Sequence, residues 1–319
     1  MQVDEALDKL GFLGLWQTLV YTGWSISCCF TASMSAMSAI FMAAMPEQYH
    51  CRLSENETFI VNANNETDKC HVYRNGTGKI PCSNGIEFQN VDFGSSIITE
   101  WELVCSRNLL GELAITLNVL GSTLGSFCLP ILSDKYGRKR THYIFLILYS
   151  LTEAGNGFAP NYSALIALRI ISGFMQTGVY ASSFVAACEV FPAKYRTYGG
   201  IFVQVWWAIG MLFLCMCAYL IRNWRYIQMI VGFVPLVTFS YFLCIPESVP
   251  WLAGNGKVEE AEKIIVKAAK MNKKQMPVNP LRGNEDRSRE TKNKKNSNIK
   301  EVLKCRILRK YLLCLCFIW

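Results

Sequence analysis

The sequence predicts an all-α polytopic membrane protein, because long apolar runs alternate with short polar turns along most of the chain. Its 319 residues are 51% hydrophobic, and its mean hydropathy is +0.20. A bilayer core about 30 Å thick requires about 20 apolar residues per helix. The runs exceed the ordinary helix of a soluble core, about 10 to 14 residues, which argues against a large soluble helical domain. Six runs reach or approach the bilayer length: 13–42, 109–132, 143–158, 164–188, 199–220 and 226–244. A seventh run begins at Tyr311.

The first run is expected to be a transmembrane helix rather than a cleaved signal peptide. It is preceded by Asp4, Glu5 and Asp8 instead of a basic region, and it is longer than the apolar part of a signal peptide. The N-terminal part therefore divides into a cytoplasmic segment, 1–12, and a first transmembrane helix, 13–45. Transmembrane helices two to six are expected within 109–245.

A compact basic turn between the second and third runs predicts the orientation. Residues 133–140 read Ser-Asp-Lys-Tyr-Gly-Arg-Lys-Arg, and clusters of Lys and Arg hold short loops in the cytoplasm. Alternation then places 46–108 outside and 246–310 inside. The net charge is +8, yet residues 254–310 contain 17 Lys and Arg against 7 Asp and Glu. This excess suits the anionic inner leaflet of a lipid bilayer. Because no aromatic platform accompanies it, a nucleic-acid partner is not expected.

The outer segment 46–108 carries two signs of extracellular exposure, so it is expected to be a glycosylated, disulfide-containing loop. Three Asn-X-Thr sequons provide acceptor sites for glycans: Asn56, Asn65 and Asn75. Four cysteines, an even number, favour disulfides in an oxidising compartment: Cys51, Cys70, Cys82 and Cys105. Four cysteines permit three pairings, and the sequence does not choose among them.

The inner segment 246–310 is expected to be partly helical and partly disordered. Residues 256–271 repeat apolar side chains at helical spacing, on a stripe that includes Val258, Ala261 and Ile265. Residues 272–298 are rich in charged and amide side chains and poor in apolar ones, a composition typical of disorder. Residues 311–319 are predicted to be a truncated seventh transmembrane helix.

Three motifs resemble the organic cation/anion transporter family of the major facilitator superfamily. Residues 134–140, Asp-Lys-Tyr-Gly-Arg-Lys-Arg, resemble the superfamily signature between its second and third helices. Residues 99–105, Thr-Glu-Trp-Glu-Leu-Val-Cys, and 246–252, Pro-Glu-Ser-Val-Pro-Trp-Leu, resemble stretches of the organic ion family. The resemblance covers roughly the whole chain. It implies the six-helix N-terminal half of a major facilitator fold plus the start of a seventh helix, in the plasma membrane, and a chain that is a fragment or a truncated isoform.

The same resemblance implies a gating network at the cytoplasmic ends of the helices. Such a network pairs charges with helix ends and neighbouring acids at a partly dry boundary. The expected members at these ends are Asp134, Gly137, Arg138, Lys139, Arg140, Glu189, Arg196 and Glu247. Arg169 is also assigned to the network, although it lies near the outer end of the fourth helix, where it matches the Arg-x-x-x-Gly pattern of the superfamily. The alternative is that these charges are only topological anchors, with Arg169 extending to the interface. The sequence departs from the family pattern at Pro130, which replaces a Gly, and at Val249 and Pro250, which replace a Pro and an Arg.

A substrate cavity is expected near the midplane, where the two halves of a transporter meet. Its candidate residues are Tyr180, Gln204, Trp207 and Glu153. Tyr180 precedes Glu189 by nine residues, about 13 Å along a helix, and aromatic rings attract organic cations. A mid-span amide such as Gln204 needs a polar partner or water. The alternatives are rings that pack against lipid or protein, and a Glu153 that is protonated and packed.

These features predict transmembrane transport of small organic ions by alternating access, with organic cations favoured and with the substrate gradient and membrane potential as driving forces. The sequence contains no phosphate-binding glycine loop, catalytic constellation or metal-ligand spacing. We therefore expect neither an enzyme nor a cofactor or metal. The alternative function is a non-transporting half-transporter or surface glycoprotein that associates with full-length relatives, and both functions permit a homo-oligomer.

Overall fold

The computed structural model describes residues 3–55, 57–61, 67–82, 84–89, 94–277, 281 and 310. Within this part of the chain, six long helices form a bundle whose helix ends lie close to the predicted ones. They are α2 (Leu15–Met42), α4 (Asn108–Tyr136), α5 (Arg138–Gly157), α6 (Tyr162–Glu189), α7 (Arg196–Leu220) and α8 (Trp224–Cys244). Shorter helices accompany them: α1 (Val3–Leu10), α3 (Ile97–Glu100), α9 (Val249–Gly254) and α10 (Val258–Met271).

Within the described residues, four helical stretches are long and apolar enough to cross a membrane. They are Leu15–Met42, Cys105–Tyr136, Tyr162–Glu189 and Ala193–Leu220. Helices α5 and α8 are not among them, and α5 begins with Arg138, Lys139 and Arg140. The fold is therefore that of an α-helical membrane protein, and six crossings remain a prediction.

Small residues allow α4 and α6 to approach each other closely. A Cβ atom on Gly121 would lie 2.2 Å from the backbone oxygen of Ile170, and one on Gly125 would lie 2.5 Å from that of Phe174. Close backbone contact of this kind is how membrane helices gain packing energy, since lipid tails are as apolar as the side chains they would replace. The α4–α6 contact brings together the C-terminal ends of these two helices. The basic turn 133–140 lies at this end of the bundle, which we call the basic end.

The opposite end of the bundle, here called the sheet end, carries two small antiparallel sheets. The strands are β1 (Gln48–Cys51), β2 (Glu57–Val61), β3 (Thr67–Arg74), β4 (Gly78–Pro81) and β5 (Ile86–Gln89). Strand β1 pairs with β5, with Gln48 opposite Gln89, and β3 lies between β2 and β4. The all-α prediction was therefore wrong for the segment 46–108. The β3–β4 hairpin turns through Gly76 and Gly78, whose positive φ angles of 92° and 80° suit glycine.

Two disulfides hold these strands to each other and to the bundle. Cys51 pairs with Cys82, and Cys70 pairs with Cys105. The second bond joins β3 to the residues just before α4. A segment of short strands buries little apolar area of its own, so covalent links are an effective way to order it. Asn75 lies exposed at the tip of the β3–β4 hairpin, whereas Asn56 and Asn65 lie outside the described residues.

At the basic end, α1, α9 and α10 pack beneath α2. Helix α10 matches the predicted 256–271 helix closely, and its buried face carries Ala261, Ile265 and Ala268. The Asn272 side chain accepts a hydrogen bond from the backbone N–H of Trp16 at 3.0 Å and donates one to Gln17 Oε1 at 2.6 Å. These bonds fasten the end of α10 to the start of α2. The predicted disordered segment lies mostly, and the predicted seventh helix entirely, outside the described residues.

Candidate functional site

Arg138 joins three helices at the basic end. It is the first residue of α5, and its Nη1 donates to Asp134 Oδ1 at the end of α4. Its Nη2 lies 3.2 Å from Glu189 Oε1 at the end of α6. The side chains of Arg138 and Glu189 are 12% and 16% exposed, whereas that of Asp134 is 68% exposed. The better-shielded pair therefore carries the stronger interaction, because solvent screens the exposed acid.

Glu247 caps the start of α5 from the far side of the cluster. Its Oε1 accepts hydrogen bonds from the backbone N–H groups of Lys139, at 3.0 Å, and Ser248, at 3.1 Å. The first turn of a helix has unpaired N–H donors and a partial positive charge, which a carboxylate satisfies. Gly137, between α4 and α5, has φ 108°, and a Cβ there would lie 2.6 Å from Glu247 Oε2. Only glycine combines that backbone conformation with that contact.

Two members of the cluster, Ser248 and Trp251, were not predicted as site residues, although both lie in the motif at 246–252. Ser248 Oγ donates to Glu189 Oε2 at 2.5 Å, and it accepts from the backbone N–H of Trp251 as the N-cap of α9. Trp251 Nε1 donates to the backbone oxygen of Asp134 at 2.8 Å. A serine before Pro in the first turn is an N-cap signal in the sequence. Together these bonds tie α9 to the ends of α4 and α6.

The remaining basic residues of the predicted gating set contact other groups. Arg196 pairs with Asp4 of α1 at 2.9 Å and also donates to the Phe191 backbone oxygen. The Lys139 ammonium lies 5.9 Å from the centre of the Tyr143 ring. Arg140 is exposed. The cluster that the structure assembles is therefore narrower than the predicted set: its side chains are those of Asp134, Arg138, Glu189, Glu247, Ser248 and Trp251.

Arg169 and Glu153 form a buried ion pair with each other. Arg169 was predicted to belong to the gating network and Glu153 to the substrate cavity. Arg169 Nη1 lies 3.4 Å from Glu153 Oε1, and their side chains are 2% and 0% exposed. Asn156 Nδ2 donates to the second oxygen of Glu153 at 3.2 Å. Arg169 lies about two turns from the start of α6, in the half of the helix away from the basic end, where the sequence analysis placed it. It is 1% exposed, so it does not extend to solvent. Glu153 is occupied by Arg169, and this contact does not support Glu153 as a substrate ligand.

The predicted aromatic residues do meet on one side of the bundle. The rings of Tyr180 on α6 and Trp207 on α7 lie 6.5 Å apart at a steep angle, and Tyr180 stacks on Phe184 at 5.8 Å. Tyr180 and Trp207 are half-buried, and Gln204 is exposed on α7. Because Gln204 and Trp207 are three residues apart, they share a helix face. The surface formed by Tyr180, Phe184, Gln204 and Trp207 is called the aromatic face below.

A buried histidine lies inside the bundle and was not predicted to have a role. His142 on α5 lies 2.9 Å from Ser27 Oγ and 3.1 Å from Ser182 Oγ, and it is 0% exposed. Trp24 packs edge-on against the imidazole, with ring centres 5.3 Å apart. A neutral imidazole has one donor and one acceptor nitrogen, which two hydroxyl groups satisfy. This contact ties α2, α5 and α6 together in the interior.

A second arginine-centred joint lies at the sheet end. Arg225 in the first turn of α8 donates from Nε and Nη2 to Glu100 of α3, at 3.2 and 2.5 Å to Oε1. It also donates to the backbone oxygens of Gly157 and Ala159 at 2.9 and 3.0 Å. Trp224 Nε1 donates to Glu100 Oε2 at 2.8 Å. Burial raises the pKa of the Glu100 carboxyl, but bonds from Arg225 and Trp224 outweigh it, so that pKa lies below its usual range.

These features define a class: an α-helical membrane protein with the major facilitator fold. A solved structure of the proton:xylose symporter XylE bound to 6-bromo-6-deoxy-D-glucose superimposes with a TM-score of 0.52 and 16% identity, over 91% of this chain and 53% of that one. XylE from E. coli in a partially occluded inward-open conformation gives a TM-score of 0.52 and 15% identity, over 94% and 60%. At these identities the likeness concerns the fold.

The chain belongs to the family described as sugar (and other) transporter, whose sequence profile matches residues 36–319. Within that family of transporters it is similar to organic cation/anion transporters. An "Organic cation transporter protein" of Drosophila melanogaster is 30% identical over 87% of this chain and 54% of the relative. A "Beta-alanine transporter" of the same species is 27% identical over 85% and 52%. "Solute carrier family 22 member 6" of Bos taurus is 28% identical over 100% and 63%.

The chain therefore spans about half the length of the curated relatives it matches. The family consists of transporters and not of enzymes. In the part of the chain that the structure describes, no three His, Cys, Asp or Glu side chains are grouped so as to hold a metal ion.

Proposed function

We propose that this chain takes part in the transport of small organic ions, with organic cations preferred, across the plasma membrane by alternating access. The observation that carries the proposal is the cluster of Asp134, Arg138 and Glu189 at the ends of three helices in a chain of a transporter family. Charges held at a partly dry boundary can exchange partners when helices rock, which suits a gate.

The proposed orientation has the basic end in the cytoplasm, six membrane crossings and the sheet end outside. The concentration of Lys and Arg in 254–310 supports it, because short basic loops remain on the cytoplasmic side. The two disulfides at the sheet end support it as well, because such bonds persist in oxidising compartments. Asn75 on its exposed hairpin is the proposed glycan acceptor that the structure describes.

In the proposed gate, two carboxylates, those of Asp134 and Glu189, share the guanidinium of Arg138. In one state of the transporter, Arg138 holds Glu189 and Asp134, and Glu247 caps α5, so the ends of α4, α5 and α6 remain together. When the cluster opens, water reaches the carboxylates and compensates their charge. Both states are then accessible, which alternating access requires.

The aromatic face is the proposed binding surface for the substrate cation. The faces of Tyr180 and Trp207 present negative charge density to a cation without a competing fixed charge, worth about 1 to 2 kcal/mol when water is excluded. The exposed Gln204 supplies a polar contact one turn away. The Arg169–Glu153 pair takes no part in this preference, because it is buried and internally paired.

Uptake of a fluorescent organic cation by cells tests the proposal. The cells express this chain or, if its gene encodes residues beyond Trp319, the longer product. Saturable uptake that falls on depolarisation is expected, because each positive charge gains about 2.3 kcal/mol per 100 mV. Absence of such uptake from every product contradicts transport. Uptake of a fluorescent organic anion instead of the cation contradicts only the cation preference.

Two matched pairs of variants separate the gate from the binding surface. Arg138→Met is expected to lower the maximal rate strongly, with Lys135→Met in the same turn as the control. Trp207→Ala is expected to raise KM for the cation about fivefold, which corresponds to about 1 kcal/mol, with Trp206→Ala as the control. Equal effects of the two tryptophan variants would remove the aromatic face from the proposal.

A further inference from the structure

A groove unrelated to the aromatic face lies at the basic end, between α2, α8 and α10. It encloses about 250 Å³, and its walls are mainly apolar. The lining includes Trp16, Leu19, Tyr241, Cys244, Ile245 and Lys267. Leu19, Tyr241 and Cys244 are exposed, so the groove opens on the outer surface of the bundle.

In the orientation proposed above, the groove lies at the level where the bundle meets the headgroups of the inner leaflet. It is formed by the first turns of α2, the last turns of α8 and the amphipathic helix α10, which lies beneath them. Helix α8 ends at Cys244, and Pro246 begins the polar segment that follows. An exposed apolar groove at this depth faces acyl chains above and lipid headgroups beside it.

The framework of the groove is held in place without any ligand. Tyr241 Oη donates to the backbone oxygen of Leu19 at 2.8 Å, which joins α8 to α2. Asn272 fastens the end of α10 to Trp16. Ile245 and Ile265 pack in the core beneath the groove. A preformed apolar groove binds an apolar chain without first having to order its own walls.

Among the described residues that line the groove, the charged one is a lysine. Lys267 lines the groove, and Lys263, Lys270 and Lys274 are placed three, four or seven residues from it, on the same face of α10 or just beyond its end. All four are exposed. Among the described residues, no carboxylate lies within 4.0 Å of the Lys267 ammonium. The volume is also below the roughly 300 to 1,000 Å³ of pockets that enclose drug-sized solutes, which argues against a second substrate site.

We propose that this groove binds an anionic phospholipid of the adjacent leaflet, with part of one acyl chain between Leu19 and Tyr241 and the phosphate beside Lys267. Basic pockets between membrane helices suit anionic lipid headgroups, at about 1 kcal/mol per lysine near the surface. Bound lipid bridges α10 to α2 and α8. The site is independent of the proposed transport function, because no residue of the Arg138 cluster or of the aromatic face lines it.

The test is native mass spectrometry of the purified chain from mixed micelles that contain equal amounts of phosphatidylserine and phosphatidylcholine. Wild-type protein is expected to retain phosphatidylserine preferentially. Lys267→Gln is expected to lower that retention about fivefold, the effect of about 1 kcal/mol, while phosphatidylcholine retention is unchanged. Lys194→Gln removes the same charge from the basic end outside the groove and is expected to behave as wild type. Leu19→Trp fills the groove and is expected to lower retention of both lipids.

Soluble glycerophosphoserine, which has the headgroup without acyl chains, is expected not to compete with phosphatidylserine. Competition would show a free phosphate site and would overturn the lipid proposal. Equal losses from Lys267→Gln and Lys194→Gln would show a diffuse charge effect and would overturn the site. If Leu19→Trp leaves lipid retention unchanged but lowers a dimer fraction, the groove is a contact between two copies of the chain.

Discussion

The two ends of the bundle are each held by an arginine, but the arginines have different kinds of partners. At the basic end, the partners of Arg138 are the side-chain carboxylates of Asp134 and Glu189. At the sheet end, Arg225 binds one carboxylate, that of Glu100, and two backbone carbonyls, one at the last residue of α5 and one two residues beyond it. Disulfides reinforce only the sheet end among the described residues.

This difference separates a joint that can exchange partners from one that cannot. A carboxylate at the basic end can be solvated when Arg138 leaves it, because Asp134 is already largely exposed. The carbonyls of Gly157 and Ala159 terminate a helix and have fixed positions, and leaving them without donors is costly. The sheet end is therefore expected to be the fixed end, and the basic end the movable one.

The largest effect is expected from removal of the covalent tie at the sheet end. Replacing Cys70 and Cys105 by Ser opens a link between residues 35 positions apart, and a loop of that size corresponds to about 3 to 4 kcal/mol. Thermal unfolding of the purified protein measures the loss. An unchanged melting temperature would show that the Cys70–Cys105 bond does not stabilise the bundle.

The next effect distinguishes the two arginines directly. Arg225→Met is expected to lower the free energy of unfolding by about 2 to 3 kcal/mol. It leaves two backbone carbonyls without this donor, and it leaves the Glu100 carboxylate with the Trp224 bond but without its ion pair. Adding Glu100→Gln is expected to restore little of the loss, since the carbonyls stay unpaired.

At the basic end, replacing an acid in addition to the arginine is expected to restore part of the lost stability. Arg138→Met leaves two acids side by side, and adding Glu189→Gln removes one of them and part of the repulsion. The double variant is therefore expected to be more stable than Arg138→Met alone. Denaturant unfolding of all four proteins provides the measurement. The same pattern at both ends would end the distinction between fixed and movable joints.

A smaller effect, about 2 kcal/mol, is expected from Gly137→Ala at the basic end. The alanine is strained at φ 108°, and its Cβ would displace the Glu247 carboxylate that caps α5. The control is Gly11→Ala, where φ is 87° but no atom lies within 4 Å of the added Cβ. The difference between the two melting temperatures isolates the Glu247 contact. Equal shifts would mean that backbone strain alone accounts for the loss.

The smallest expected effect is a pH dependence of the protein's stability, which comes from Glu100 at the sheet end. The folded-state pKa of Glu100 is lowered, so its contribution to stability is complete above the unfolded pKa, near 4.5, and is lost as pH falls through the folded value. For a partly exposed ion pair we expect at most about 1 kcal/mol. The melting temperatures of wild type and Glu100→Gln should approach each other as pH falls below 4.5. A difference that grows as the pH is lowered would contradict the assigned role of Arg225.

The helices could be predicted because hydropathy and helix length are local properties. Each long helix begins and ends within a few residues of an apolar run, and α10, Val258–Met271, lies within the segment 256–271 that repeats apolar side chains at helical spacing. The strands were missed because they are short and polar, although the Asn75-Gly76 pair is a hairpin signal. The pairing partners of charges were harder to predict, because Arg138 and Glu189 are 51 residues apart and Glu100 and Trp224 are 124 apart.

By itself, the sequence determined the class of the protein, the extents of its long helices, the family motifs and the concentration of basic residues at one end. The spacing of apolar residues, the hydropathy and the local charge decide these features, and all three are properties of residues that are neighbours in the chain. Only the tertiary structure decided which cysteines pair, that Arg169 is bound to Glu153 inside the bundle, and that Ser248 and Trp251 complete the Arg138 cluster. These contacts depend on the approach of helices through residues such as Gly121, and that approach brings together side chains far apart in the chain.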